Sequence, residues 1–81
     1  MDYETAKANV KRKYTRPDGY GSNTVTVGLA YDPATGHAVE VTPLGCCRAN
    51  GRRYASELEM LYYFDAHRRE HFPLAQPEPE E

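Results

Sequence analysis

Hydrophobic and polar residues alternate through residues 24–31, and this is the clearest pattern in the chain. Valine, leucine and tyrosine occupy every second position there, between threonine, glycine and alanine. Period-two alternation with β-branched residues predicts a half-buried strand. Residues 32–36, with a proline near the start and a glycine at the close, predict a turn. Residues 37–42 alternate again, so the pattern predicts an antiparallel β-hairpin.

The segment after this hairpin has two interpretations. Pro43 and Gly45 end the second strand, and the pair Asn50-Gly51 is preferred in tight two-residue turns. The segment therefore forms either a second, shorter hairpin around Asn50-Gly51 or an irregular loop with one turn.

A C-terminal helix is predicted from Glu57 to about His71. It begins at a capping box, in which the Ser56 hydroxyl accepts from a backbone amide and Glu59 reaches back to the Ser56 amide. Pro73 stops the helix because proline cannot continue it. The side chains expected to meet the valines of the hairpin are Tyr54, Leu58, Leu61 and Tyr62.

A shorter helix is predicted over residues 2–14, followed by a loop over residues 15–23. Asp2 can cap the first turn, and basic residues cluster at the other end, where the helix dipole favours cations. Apolar positions that recur at intervals of three and four share one face of a helix. In this segment they are Tyr3, Ala6, Val10 and Tyr14.

Together these elements predict an α+β fold, in which an antiparallel hairpin packs against the C-terminal helix and the short N-terminal helix docks peripherally. Residues 1–72 are expected to form one domain, and residues 73–81 a disordered acidic tail of Pro and Glu. A length of 81 residues excludes two domains or a barrel enzyme. The chain has no apolar run of the roughly 18 residues that a membrane helix needs and no signal-peptide pattern, which predicts a cytoplasmic location.

Few residues are candidates for chemistry. Cys46 and Cys47 are adjacent, so their side chains diverge, whereas zinc ligands are usually separated by about two to four residues. His67 and His71 lie four positions apart on the predicted helix, as a two-histidine ligand pair requires. The alternative to a metal site is two reduced, buried thiols beside a helix end that carries two histidines. We expect no metal and no cofactor, and any role of these four residues beyond packing is left open. Because no nucleophile or phosphate-loop motif is present, no enzymatic activity is predicted.

Tyrosine takes the place of the missing large apolar residues. The chain has seven Tyr but no Ile and no Trp, which is more tyrosine than so small a core can bury. Tyr and Arg are enriched at the centres of protein interfaces. The residues expected to form a partner-binding surface are Tyr20, Arg52, Arg53, Tyr63 and Arg68.

These features predict a non-enzymatic module that binds a protein partner and occludes it. A compact chain with an acidic tail and no catalytic motif is typical of small phage- or mobile-element-encoded inhibitors, such as anti-CRISPR and other host-takeover proteins. A core of this size leaves modest stability, so we also predict a homodimer.

The alternative is a small nucleic-acid-binding regulator. The net charge is -2, but residues 1–17 carry five basic and two acidic side chains, a net of +3. A basic helix beside tyrosines can grip phosphates and stack bases. The residues expected to do so are Lys7, Lys11, Arg12, Lys13 and Arg16.

Overall fold

The computed structural model describes residues 1–17 and 23–71, and the side chains of residues 1–16 and 23–67. The tail predicted at residues 73–81 lies outside the described residues. In this part of the chain the elements follow one another as α1 (Tyr3–Ala8), β1 (Arg12–Pro17), β2 (Thr24–Asp32), β3 (His37–Thr42), β4 (Gly45–Arg53) and α2 (Glu57–His71).

The four strands form one antiparallel sheet in the order β1-β2-β3-β4. This confirms the α+β class, and β2 and β3 form the predicted hairpin. In their turn, Asp32 accepts a hydrogen bond from the Ala34 amide at 3.0 Å. The turn closes at Gly36, whose φ of 79° lies in the left-handed region that glycine adopts without steric cost.

The register of this hairpin places the valines of β2 and β3 on opposite faces of the sheet. Gly28 pairs with Val41, and Ala30 pairs with Val39. Directly paired residues share a face, and successive side chains alternate between faces. The β3 valines therefore share a face with Gly28 and Ala30, whereas Val27 lies on the other face. Both faces carry apolar residues, and one helix packs on each.

Both interpretations of the segment around Asn50-Gly51 are wrong, because this pair lies inside the single strand β4. The β3–β4 ladder is irregular at this point, where the register shifts between His37 and Val39. Gly51 has a φ of 82°, and the Asn50 side chain accepts a hydrogen bond from the Arg52 amide at 2.9 Å. The Asn-Gly signal is therefore used for an irregularity in an edge strand and not for a hairpin turn.

The single helix predicted over residues 2–14 is also wrong, since the segment divides into α1 and β1. Asp2 caps α1 as predicted, because its carboxylate accepts from the Thr5 amide at 2.8 Å. The helix ends at Ala8, and the Asn9 side chain donates to the Thr5 carbonyl at 2.7 Å. Residues 12–17 pair with β2 instead of continuing the helix.

α1 packs on the face of the sheet that carries Val39 and Val41. Ala6 is fully buried at this contact, and Val10 packs beside it. Gly28 permits the approach, because a Cβ at this position would lie 2.7 Å from a methyl carbon of Val10.

α2 packs on the opposite face through Met60 and Phe64, which are almost completely buried. The ring of Phe64 lies 5.3 Å from that of Tyr14 in β1. The expectation that Leu58 and Tyr62 face the hairpin is wrong, because Leu58 is 78% exposed and Tyr62 is 61% exposed. The side of α2 that packs on the sheet is therefore the one that carries Met60 and Phe64, and not the predicted one that carries Leu58 and Tyr62.

The start of α2 follows the predicted capping box in part. The Ser56 hydroxyl accepts a hydrogen bond from the Glu59 amide at 3.2 Å. The Glu59 carboxylate accepts from the Ala55 amide at 2.7 Å, one residue before the predicted donor. Toward its other end the helix is kinked at His67, where φ is -134° and ψ is 43°.

Candidate functional site

Aromatic and cationic side chains meet where the end of β4 passes the outer side of α2. The guanidinium carbon of Arg52 lies 5.5 Å from the centre of the Tyr63 ring, within the range of a cation–π contact. Tyr62 meets Tyr63 edge-on at 5.4 Å, and His67 lies 6.3 Å from Tyr62 and 6.1 Å from Tyr63. We call Arg52, Leu58, Tyr62, Tyr63 and His67 the tyrosine–arginine surface.

The core holds one ring of this surface in place. Tyr63 is half-buried and its ring lies 6.0 Å from that of Tyr54. Tyr54 is buried, its carbonyl accepts from the Tyr31 hydroxyl at 2.8 Å, and burial raises the pKa of its own hydroxyl. Tyr63 is therefore a fixed anchor, whereas Tyr62 and Leu58, one helical turn apart, extend into solvent.

The structure brings together two of the five predicted partner-binding residues. Arg52 and Tyr63 are in direct contact, and Arg53 is exposed at the same end of β4. Tyr20 and the side chain of Arg68 lie outside the described residues. The prediction missed three members of the surface because their exposure depends on which side of α2 faces the sheet: Leu58, Tyr62 and His67.

Two of the five predicted nucleic-acid-binding residues form ion pairs on the α2 side of the sheet. Arg12 donates two hydrogen bonds to the Asp65 carboxylate, at 3.0 and 2.9 Å, and these bonds raise the pKa of Arg12. Arg16 donates to Glu40 at 3.0 Å. Each guanidinium therefore already has a carboxylate partner, which a phosphate would have to displace.

Glu40 is a charged residue inside the fold, with 3% of its surface exposed. Its carboxylate also accepts a hydrogen bond from the Tyr14 hydroxyl at 2.5 Å. Burial first, and this bond second, raise the pKa of Tyr14 far above its ordinary value. Burying a charged carboxylate costs free energy unless it has such partners. The hydrogen bonds from Tyr14 and Arg16 therefore offset the cost of burying Glu40.

The lysines of the predicted nucleic-acid set differ from the arginines. Lys7 and Lys13 line a cleft between α1 and the sheet, and Lys11 is exposed. None of the three forms an ion pair within the described residues. The basic N-terminal segment is therefore split between two faces of the sheet.

The cysteines and histidines are not gathered into one site. Cys46 packs partly on the α1 side, where burial raises the pKa of its thiol, and Cys47 is exposed. The His67 ring lies edge-on to Tyr62 and tilted against Tyr63, and the side chain of His71 lies outside the described residues. Among the described residues there is no group of three or more His, Cys, Asp or Glu that could hold a metal ion.

Comparisons with protein-family models, with curated proteins and with solved structures find no match to this chain. Over residues 1–17 and 23–71, no helix is long and apolar enough to cross a membrane.

Proposed function

We propose that this chain is a non-enzymatic protein-binding module that acts by covering a site on its partner through the tyrosine–arginine surface. The observation that carries the proposal is the exposed ring of Tyr62, which meets Tyr63 of the Arg52–Tyr63 pair edge-on. Leu58, one helical turn before Tyr62, is also exposed. An apolar side chain, aromatic rings and an arginine in one patch match the residue types that dominate binding energy at interfaces. The rings also have few rotatable bonds, so immobilising them costs little entropy.

The biological setting that we propose is inhibition by a small phage- or mobile-element-encoded protein, of which anti-CRISPR proteins are one example. Its support is the size of the chain and the absence of a catalytic motif from its sequence. In such a protein, the bound surface itself blocks the partner, so no chemistry is required.

Partner capture from the source cell, followed by titration of the purified partner, tests the surface. We expect Tyr62→Ala combined with Arg52→Ala to weaken binding by about tenfold or more, because central aromatic and arginine residues often contribute over about 1 kcal/mol each. The matched control is Leu44→Ala, since Leu44 is 99% exposed but lies in the β3–β4 turn. Equal affinity of the double variant and the wild type would show that this surface is wrong.

Nucleic-acid binding is the second candidate, and the observation that favours it is the group of lysines without ion pairs in the described residues. We expect Lys7, Lys11 and Lys13, rather than the paired arginines, to carry such binding. Binding through phosphate contacts weakens steeply with salt. The absence of any shift of duplex or single-stranded probes at low salt would remove this candidate.

A further inference from the structure

A cleft of about 510 Å³ lies between α1 and the sheet, on the opposite side from α2. Its walls combine two kinds of surface. Val10, Val41 and Pro43 supply apolar surface, while Lys7 and Lys13 supply cations. Small-molecule sites are typically mostly apolar concavities of ~300–1,000 Å³ with a few polar groups that orient the ligand.

The apolar floor of the cleft depends on a close contact within the fold. Val10 lies directly over Gly28, where an added Cβ would come within 2.7 and 2.9 Å of its two methyl carbons. Val41 pairs with Gly28 across the hairpin. The floor is therefore made of backbone and methyl groups that the core already fixes, and a ligand would find it formed in advance.

The charge of the cleft favours an anion. None of the described residues that line it is a carboxylate, and Thr26 adds a hydroxyl that can donate a hydrogen bond. The Lys7 ammonium lies 5.7 Å from the centre of the Tyr3 ring, a contact that limits its freedom without neutralising its charge. Two acids stand at the start of α1, and neither lines the cleft. Asp2 accepts a hydrogen bond from the Thr5 amide, and Glu4 is exposed.

We propose that this cleft binds a phosphate group attached to a planar ring, as in a nucleotide. The phosphate lies between Lys7 and Lys13 with the Thr26 hydroxyl donating to it, and the ring lies on Val10, Val41 and Pro43. Lysine binds phosphate as a point charge, and two lysines suit a dianionic group. The chemistry is shared by a free mononucleotide and by a nucleotide unit of a single strand. It requires neither the protein-binding surface nor the arginines of β1.

Titrations of the full chain with AMP, adenosine and inorganic phosphate, followed by backbone amide NMR shifts, test the site. We expect saturable shifts with AMP at the amides of Thr26, Gly28 and Val41, and about tenfold weaker binding of adenosine and of phosphate alone. A short oligothymidylate in a further arm distinguishes the two sources. Tighter binding of the oligomer at the same amides identifies a single strand, and preference for AMP identifies the free nucleotide.

Two double variants with the same change in net charge distinguish binding in the cleft from nonspecific attraction of AMP to basic side chains. Lys7→Gln with Lys13→Gln should weaken AMP binding about tenfold or more. Arg48→Gln with Arg53→Gln removes the same charge at exposed positions outside the cleft lining and should leave AMP binding unchanged. Equal losses in both double variants would overturn the proposal. So would equal binding of AMP and adenosine, equal binding of AMP and phosphate, or no saturable shift at millimolar AMP. Failure of the nucleic-acid hypothesis gives a different result from failure of this proposal. In the first case AMP still binds and the oligomer does not, whereas in the second AMP does not bind.

Discussion

Glu40 shows how a single charged residue depends on contacts that are distant in the sequence. It lies between Val39 and Val41 in β3, and its partners Tyr14 and Arg16 belong to β1, two strands away in the sheet. The carboxylate holds both partners on the α2 side of the sheet, so it joins the first strand to the third. Breaking a buried, hydrogen-bonded pair by removing one partner typically costs about 3–5 kcal/mol, since the other is left uncompensated.

Alkaline titration provides a test of this network. The pKa of Tyr14 is raised in the fold above the ordinary value of about 10, so its contribution to stability is present below about pH 10 and is lost at higher pH. In the folded protein, Tyr14 should therefore stay protonated while the pH is raised. We expect the rise in phenolate absorbance to be the same for Tyr14→Phe and the wild type at every pH below that at which the protein unfolds. In denaturant the same variant should lose about one seventh of the amplitude, because the chain has seven tyrosines. A comparable loss in the folded protein would contradict the buried position of Tyr14.

At the scale of elements, the orientation of α2 determines which residues form the core and which form the tyrosine–arginine surface. Met60 and Phe64 face the sheet, and Leu58 and Tyr62 face solvent. Residues four apart lie on the same side of a helix, so the two members of each pair share one environment, buried or exposed. The capping box indicates where the helix begins but not which side packs.

Denaturant unfolding of two α2 variants tests this orientation. Phe64→Ala should lower the free energy of unfolding by about 3–5 kcal/mol, through lost burial and the cavity that remains. Leu58→Ala should change it by less than about 0.5 kcal/mol, because the side chain is exposed. Phe64→Leu removes less volume and should cost less than Phe64→Ala, so it keeps the comparison measurable if Phe64→Ala does not fold. A larger cost at Leu58 than at Phe64 would reverse the assignment of the two sides.

At the scale of the whole molecule, a small sheet is covered by helices of unequal length, six residues in α1 and fifteen in α2. The sheet as described ends in β1 on one side and β4 on the other. Strand edges with unpaired backbone groups are common sites of association. Leu44, in the turn between β3 and β4, is 99% exposed. A limited core and these surfaces support the prediction of a homodimer.

Size-exclusion chromatography with light scattering measures the oligomeric state directly. We expect a mass about twice the 9.2 kDa of the chain at micromolar concentration. The Leu58→Ala and Leu44→Ala variants then report which exposed side chain lies at the contact. A mass of one chain over the whole concentration range would show that the protein is a monomer.

The sequence by itself determined the local features of this protein. Alternation in residues 24–42 predicted β2 and β3 because period two requires only neighbouring positions, and the caps at Asp2 and Ser56 required only a few residues. It also indicated Arg52 and Tyr63, since residue type alone favours them at interfaces. By contrast, β1 contains one buried ring among basic residues, so its pattern could not be distinguished from a helix end.

Only the tertiary structure decided how these local features combine. The pairing of Gly28 with Val41 places the valines of β2 and those of β3 on opposite faces of the sheet. Both faces are therefore apolar, and each is covered by a helix. The pairing of β1 with β2 places Lys13 opposite Gly28 on the α1 face and the paired arginines on the α2 face. The packing of α2 exposes Tyr62. These outcomes depend on contacts between distant segments, and periodicity within one segment carries no information about them.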